Sequence, residues 1–221
     1  MEDLKFDQIV GSTVSLQGIS FEKRACPDQY LGTLTDIVGQ PQFPVRVAAN
    51  QRAQQPCLIM VLESPHIDEF IDEPGPAKGF TGDMIRNFLP EAISLHDADE
   101  FGLVLINAIQ HQCSLGVSTA IYRDKIFRAA WAQGGQESFV TRLQSVVRTG
   151  DIVMNCCTKG NDFELNTPLR SLVETTIRRN LPAVQTIRRM HPASWRTKSW
   201  RGVAWQYQTV SMDGSTTDSR Q

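Results

Sequence analysis

The sequence contains no C-x-x-C motif. Its 5 cysteines, at positions 26, 57, 113, 156 and 157, are odd in number and form no C-x-x-C pair. This spacing argues against a disulfide framework and against a zinc or iron–sulfur site. We therefore expect reduced thiols, no bound metal and no cofactor.

Long apolar runs are also absent. No stretch approaches the roughly 20 residues that a membrane-spanning helix needs. The first five residues, M-E-D-L-K, are acidic and lack the basic and apolar regions of a signal peptide. These features predict a cytoplasmic protein that does not enter a membrane, and we expect it to be a monomer.

The net charge of −2 is small, but it is unevenly distributed. Residues 1–120 carry 7 Lys or Arg and 16 Asp or Glu, whereas residues 121–221 carry 15 and 8. The basic half is suited to face an acidic polymer such as a nucleic acid. Two solvated faces of opposite charge explain the same numbers.

The most informative stretch is the apolar run Leu58–Leu62, which ends in Glu63-Ser64-Pro65-His66. A short apolar run closed by proline predicts a strand buried on both faces, because proline cannot extend a central strand. In open parallel sheets, ligands bind outside the carboxyl ends of the strands. Glu63 is therefore predicted to lie where a binding site forms.

Similar apolar runs predict strands at 103–106, 151–155 and 184–190, with helices between them. This alternation predicts right-handed crossovers and a three-layer α/β/α fold around a central, four-stranded, mainly parallel sheet. Residues 51–212 would form this domain. Residues 1–50 would add a peripheral layer that includes a helix over 28–38, and residues 213–221 a disordered tail.

Four polar residues then fall at the carboxyl ends of the four predicted strands: Glu63, Asn107, Lys159 and His191. The chain carrying them resembles the uracil-DNA glycosylase-like superfamily. Its best-known branch has G-Q-D-P-Y-H, a Gly/Pro-rich loop leading to a Phe, a strand ending in Asn, and a late H-P-S loop; its iron–sulfur branch has G-E-A-P-G at the first position. The counterparts here are L-E-S-P-H at 62–66, G-P-A-K-G-F at 75–80, L-I-N-A at 105–108 and H-P-A-S-W at 191–195.

The resemblance implies hydrolysis of the N-glycosidic bond of an unwanted base that is flipped out of DNA. Glu63 would orient or deprotonate the attacking water, and His191 would donate a hydrogen bond to the departing base. Asn107 would read the edge of a pyrimidine and Phe80 would stack on it. Each residue also has a structural explanation, such as an ion-paired carboxylate, a turn-forming Asn or a core Phe.

The sequence departs from the family pattern beside the predicted catalytic carboxylate. Ser64 stands where the best-known branch has its catalytic Asp, so Glu63 must carry that role. His66 stands where that branch has a Tyr that excludes 5-substituted pyrimidines. We expect both to contact the base, which favours a substrate other than plain uracil, such as a 5-modified pyrimidine of viral DNA or a deaminated purine.

The segment from Arg188 to Arg201 is basic with interleaved aromatic residues, a pattern typical of phosphate contacts combined with a wedging ring. The residues predicted to engage DNA are Arg189, Trp195, Arg196, Lys198 and Lys159. Trp195 occupies the place of an intercalating Leu in the best-known branch. The alternative is a solvated basic surface that covers buried tryptophans.

Two other functions remain open from the sequence. Ser64 in place of the catalytic Asp also fits a non-catalytic module that binds a nucleic acid or a nucleobase. A strand-end pocket of this kind also fits a hydrolase of free nucleosides. For a glycosylase, the role would be either repair or defence against phage.

Overall fold

The computed structural model describes residues 5–15, 20–93, 100–115, 122–162, 164 and 166–197. The predictions that concern Lys198, the end of the 51–212 domain and the 213–221 tail lie outside these residues. Within the described part of the chain, no helix is both long and apolar enough to cross a membrane.

Within the described residues, six strands form one mixed sheet in the order β2-β1-β4-β3-β5-β6. They are β1 Gln29–Thr33, β2 Val47–Ala48, β3 Cys57–Leu62, β4 Gly102–Asn107, β5 Ile152–Asn155 and β6 Gln185–Arg188. Strands β4, β3, β5 and β6 are parallel, and β1 is antiparallel to β2 and β4. The α/β prediction is confirmed, but the sheet has two more strands than expected and is mixed.

Helices cover both faces of this sheet. They are α1 Phe6–Thr13, α2 Leu34–Ile37, α3 Phe80–Ile93, α4 Arg123–Ala130, α5 Gln136–Val146 and α6 Leu169–Asn180. Helices α1, α4, α5 and α6 bury apolar side chains on one face, and α2 and α3 do so on the other. Hydrophobic burial on two faces thus explains why β3 and β4 are apolar at nearly every position.

The predicted helix over 28–38 is wrong in its first half, because residues 29–33 form β1 and only Leu34–Ile37 is helical. Tyr30 and Leu31 are buried in opposite core layers, as alternate residues of a strand are. Gly32 adopts φ +109°, which a helix interior does not allow. Pairing with β4 therefore outweighs the short helical pattern.

The parallel register brings the strand ends to one edge. Leu62 at the end of β3 pairs with Asn107 at the end of β4, and Val61 pairs with Asn155 at the end of β5. Residues that follow β3, β5 and β6 consequently lie at the same edge of the sheet, where the carboxyl ends of the strands meet. This is the edge at which the sequence places Glu63 and His191.

A buried ion pair lies at the N-terminal ends of β3 and β5, away from the edge where Glu63 lies. The side chains of Arg52 and Asp151 are fully buried, with Nη2 and Oδ1 2.7 Å apart. The same oxygen accepts a hydrogen bond of 2.8 Å from the backbone N–H of Cys57, the first residue of β3. Asp151 directly precedes β5, so this pair sets the relative position of two strands.

Replacing Arg52 with Met is expected to lower the free energy of unfolding by about 3–5 kcal/mol, because it leaves the Asp151 carboxylate buried without its partner. Urea denaturation measures this change. Lys23→Ala, which removes an exposed pair with Asp7, is the control and should cost at most about 1 kcal/mol. Equal losses in both variants would contradict a structural role for the buried pair.

Candidate active site

A cavity of about 380 Å³ lies at the carboxyl edge of the parallel strands, a size typical of small-molecule sites. Its walls come from the segment after β3, the start of α3, the start of α4, the loop after β5 and the loop after β6. Glu63 and His191 both line it. The two residues that the sequence selects for catalysis therefore share one site.

The Glu63 carboxyl group is buried and held from two sides. Oε1 lies 3.2 Å from Nε of Arg123. Oε2 accepts hydrogen bonds from the hydroxyl of Thr158 and from its backbone N–H, the latter at 3.3 Å. Burial raises the pKa of Glu63, and the cation and the two hydrogen bonds act against that rise.

Arg123 is a site residue that the sequence analysis missed. It is the first residue of α4, and its guanidinium also lies 3.2 Å from Asp124 and donates to Asn161 at 3.1 Å. Tyr122 directly before it adopts a left-handed conformation with φ 60°, which is uncommon for an aromatic residue. No sequence motif predicts Arg123 as a site residue, because its contacts depend on how α4 packs against the loop after β5.

That loop is fastened to α4 by Asp124. The Asp124 carboxylate accepts hydrogen bonds from the backbone N–H groups of Asn161 and Asp162, the second at 3.0 Å. Gly160 permits the close approach, since it has φ +84° and a Cβ there would lie 2.2 Å from Asp124 Oδ2. The contact brings Thr158 and Arg123 to the same carboxylate.

His191 follows β6 and is half-buried at the cavity wall. Its Nδ1 accepts a hydrogen bond of 3.3 Å from the backbone N–H of Ala193. Burial, together with the positive charge of Arg123, lowers the pKa of His191 to about 4. The ring is therefore neutral at pH 7, and the hydrogen bond to Nδ1 assigns the ring proton to Nε2.

Three other predicted residues line the same cavity: Ser64, His66 and Phe80. Phe80 is 49% exposed at the start of α3, so its ring is open to a ligand. His66 is exposed, and its Nδ1 accepts from the backbone N–H of Asp68 at 3.4 Å. Ser64 is half-buried and directly follows Glu63.

Asn107 does not line this cavity. It is 1% exposed, and its Nδ2 lies 3.7 Å from the sulfur of Cys26. Its amide also acts to lower the pKa of Glu69, which does line the cavity. The expectation that Asn107 reads a base directly therefore needs correction, because the Asn107 side chain is buried and does not line the cavity.

Trp195 and Arg189 are buried, contrary to their predicted role at a DNA surface. Trp195 is 1% exposed and donates from Nε1 to the Met190 carbonyl at 2.9 Å. Arg189 is 3% exposed and donates from Nε to the Ala92 carbonyl. In this conformation both side chains stabilise the packing of the loop after β6 against α3, and neither is available to a DNA strand.

Lys159 and Arg196 are exposed, as a nucleic-acid contact requires. Lys159 directly follows Thr158, and Arg196 lies two residues beyond Ser194; Thr158 and Ser194 both line the cavity. Two predicted cations are thus attached to segments that form the cavity wall.

No group of three or more His, Cys, Asp or Glu residues in the described ranges is arranged to hold a metal ion. Comparisons with protein families, with curated proteins and with solved structures found no match to this chain.

Replacing Arg123 with Gln is expected to raise the pKa of His191 above 4, because a positive charge beside the ring is removed. An NMR titration of the imidazole resonances measures this shift. Arg128→Gln is the matched control: this arginine lies on the same helix but pairs with Asp162. An unchanged His191 pKa in Arg123→Gln would contradict the electrostatic coupling of the two side chains.

Proposed function

We propose that this protein is a DNA glycosylase that hydrolyses the N-glycosidic bond of a flipped-out deaminated or modified base. The substrate would be uracil or a 5-modified pyrimidine such as one found in viral DNA. One observation carries the proposal: a buried carboxyl group and a neutral imidazole, Glu63 and His191, line one cavity of small-molecule size. Adjacent parallel strands β4, β3, β5 and β6 are consistent with the sheet that the superfamily resemblance implies.

The chemistry needs two different environments in one site. As the bond between C1′ and the base nitrogen breaks, its electron pair leaves with the base and positive charge develops on the sugar. A carboxylate beside the sugar stabilises that charge and orients water for attack on C1′. Glu63 fits this role, and its raised pKa suits it to take a proton from the water as the new C–O bond forms.

The departing base carries negative charge and needs a hydrogen-bond donor. His191 has its Nδ1 occupied by a backbone N–H, which leaves Nε2–H as a donor. Because its pKa is about 4, the ring stabilises the leaving anion as a neutral donor across the physiological pH range. The proton taken from water then neutralises the released base through solvent.

The rest of the cavity is suited to hold a planar ring. Phe80 offers an exposed aromatic face at its edge, and Ser64 and His66 offer polar groups in the segment that carries Glu63. Base stacking on an aromatic ring is worth about 1–3 kcal/mol. This combination of one stacking surface and several polar groups is typical of pockets that receive a flipped base.

DNA contact would come from Lys159 and Arg196. Both are exposed and follow segments that line the cavity, which supports contacts with phosphates near a flipped nucleotide. The wedging role first expected of Trp195 is not part of this proposal, because that ring is buried.

A hydrolase of free nucleosides is the second candidate. The segment bordering the cavity carries the exposed acidic residues Asp68, Asp72 and Glu73, and acidic groups repel a phosphate backbone. The buried Trp195 likewise favours a small substrate over a duplex. The same carboxylate and imidazole would then act on a base linked to a single sugar.

Replacing Glu63 with Gln, or His191 with Ala, should each reduce base release about 10²–10⁴-fold, since each removes a group that acts in the transition state. The measurement is alkali-sensitive strand cleavage of oligonucleotides that carry a panel of uracil and 5-modified pyrimidines. Glu137→Gln, on the exposed face of α5, is the matched control and should keep full activity.

Wild-type release from oligonucleotides, with none from free nucleosides, supports the glycosylase. Base release from free nucleosides, with none from oligonucleotides, supports the nucleoside hydrolase. DNA binding without release of any base would favour a non-catalytic module, and full activity in both variants would rule out the assigned roles.

A further inference from the structure

Glu69 is a buried carboxyl group that the chemistry proposed above does not use. It is 5% exposed, belongs to the short turn Ile67–Phe70 and lines the same cavity as Glu63 and His191. A buried ionisable side chain that faces a ligand cavity costs stability, and such groups cluster at functional sites. Its position calls for a role in binding.

Polar groups surround the Glu69 carboxyl. Backbone groups of Ala77 and His66 and the Asn107 amide act to lower the pKa of Glu69, and Cys26 Sγ lies 3.9 Å from Oε2. Asn107 is itself fixed at the end of β4, and within the described chain its buried Oδ1 has no hydrogen-bond partner. An Asn amide can present either a donor or an acceptor, so it can support Glu69 in either protonation state.

The protonation state of Glu69 is finely balanced. Burial raises the pKa of Glu69 to about 7, against hydrogen bonds and the positive charge of Arg46. Among the described residues, the charged or titratable side chains that act on it are Arg46 and the Cys26 thiol; burial raises the pKa of that thiol, so it is neutral. Near neutral pH the cavity thus contains a carboxyl group that donates a hydrogen bond when it is neutral and only accepts hydrogen bonds when it is ionised.

We propose that Glu69 reads the edge of the base held in the cavity, with one oxygen accepting from a pyrimidine N–H and the other donating its proton to the neighbouring acceptor. This deepens the proposed function and rests on it. In uracil the two groups are N3–H and O4, and in cytosine they are the 4-amino group and N3. Asn107 becomes the positioning residue for this contact.

The proposal has a definite pH sign. The neutral carboxyl offers one donor and one acceptor and so matches either pyrimidine edge, whereas the ionised form offers two acceptors. The affinity for such an edge is therefore highest below the Glu69 pKa of about 7, and it falls as pH rises through that pKa. The ionised form would instead match guanine, which presents two adjacent donors.

Free base analogues test this without requiring catalysis. The probes are 1-methyluracil, 1-methylcytosine and 9-methylguanine, in which a methyl group replaces the sugar, and ligand-observed NMR titrations at pH 6 and pH 8 give Kd. We expect the wild type to bind at least one of the two pyrimidines about tenfold more weakly at pH 8, as one titrating group predicts. Glu69→Gln, which always offers one donor and one acceptor, should bind at both pH values like the wild type at pH 6.

Two further variants distinguish a contact with the base from a packing role. Glu69→Met keeps the side-chain length but should lose pyrimidine binding at both pH values. Asp68→Asn, a change at the exposed carboxylate beside Glu69, should keep the wild-type pH dependence. Circular dichroism confirms folding of each variant.

Any of three results would overturn the proposal: an unaltered pH dependence in Glu69→Gln, 9-methylguanine binding that weakens as pH rises, or no saturable pyrimidine binding by the wild type. Base release is a separate assay. Pyrimidine binding with the expected pH dependence but without base release from any oligonucleotide would refute the glycosylase and leave the role of Glu69 standing.

Discussion

A buried carboxylate needs partners, and the edge of the sheet is built around that need. Glu63 directly follows β3 and is largely buried at the cavity wall, where an isolated charge is unstable. Arg123 and Thr158, from two distant segments, supply a cation and two hydrogen bonds. The contact of Asp124 with the loop after β5 keeps these partners together.

The same arginine links the two proposed catalytic groups. Arg123 opposes the rise in the pKa of Glu63 and contributes to the fall in the pKa of His191. One group is thereby suited to accept a proton and the other to remain a neutral donor. A pair of titratable groups whose surroundings move their pKa values in opposite directions is a common arrangement in acid–base sites.

Strong local patterns made the centre of the fold predictable. The apolar runs of β3 and β4 have strand length, are closed by polar residues, and end at one edge because parallel strands must. Glu63 and His191 could be predicted as site residues because they follow the carboxyl ends of parallel strands. The strand β1 was missed because Leu31 shares a helical spacing with Leu34 and Ile37, whereas pairing with β2 and β4 decides the conformation of residues 29–33.

Other site residues depend on tertiary contacts that no local pattern encodes. Arg123, at the start of α4, pairs with Glu63, and Glu69 lines the cavity from the short turn Ile67–Phe70. The basic and aromatic pattern around Trp195 resembles a nucleic-acid surface, yet the ring is covered by the packing of its loop against α3. Burial of single side chains is decided by neighbours that are remote in sequence.

The shared cavity is tested most directly by a crystal structure of the protein bound to duplex DNA that contains a cationic pyrrolidine in place of one deoxyribose. The ring nitrogen stands in for the positive charge that develops on the sugar. We expect it within about 4 Å of a Glu63 carboxylate oxygen, the range of an ion pair, with His191 facing the side from which the base departs. A pyrrolidine bound outside this cavity, or a duplex bound to another surface, would contradict the assignment of Glu63 and His191 to one reaction.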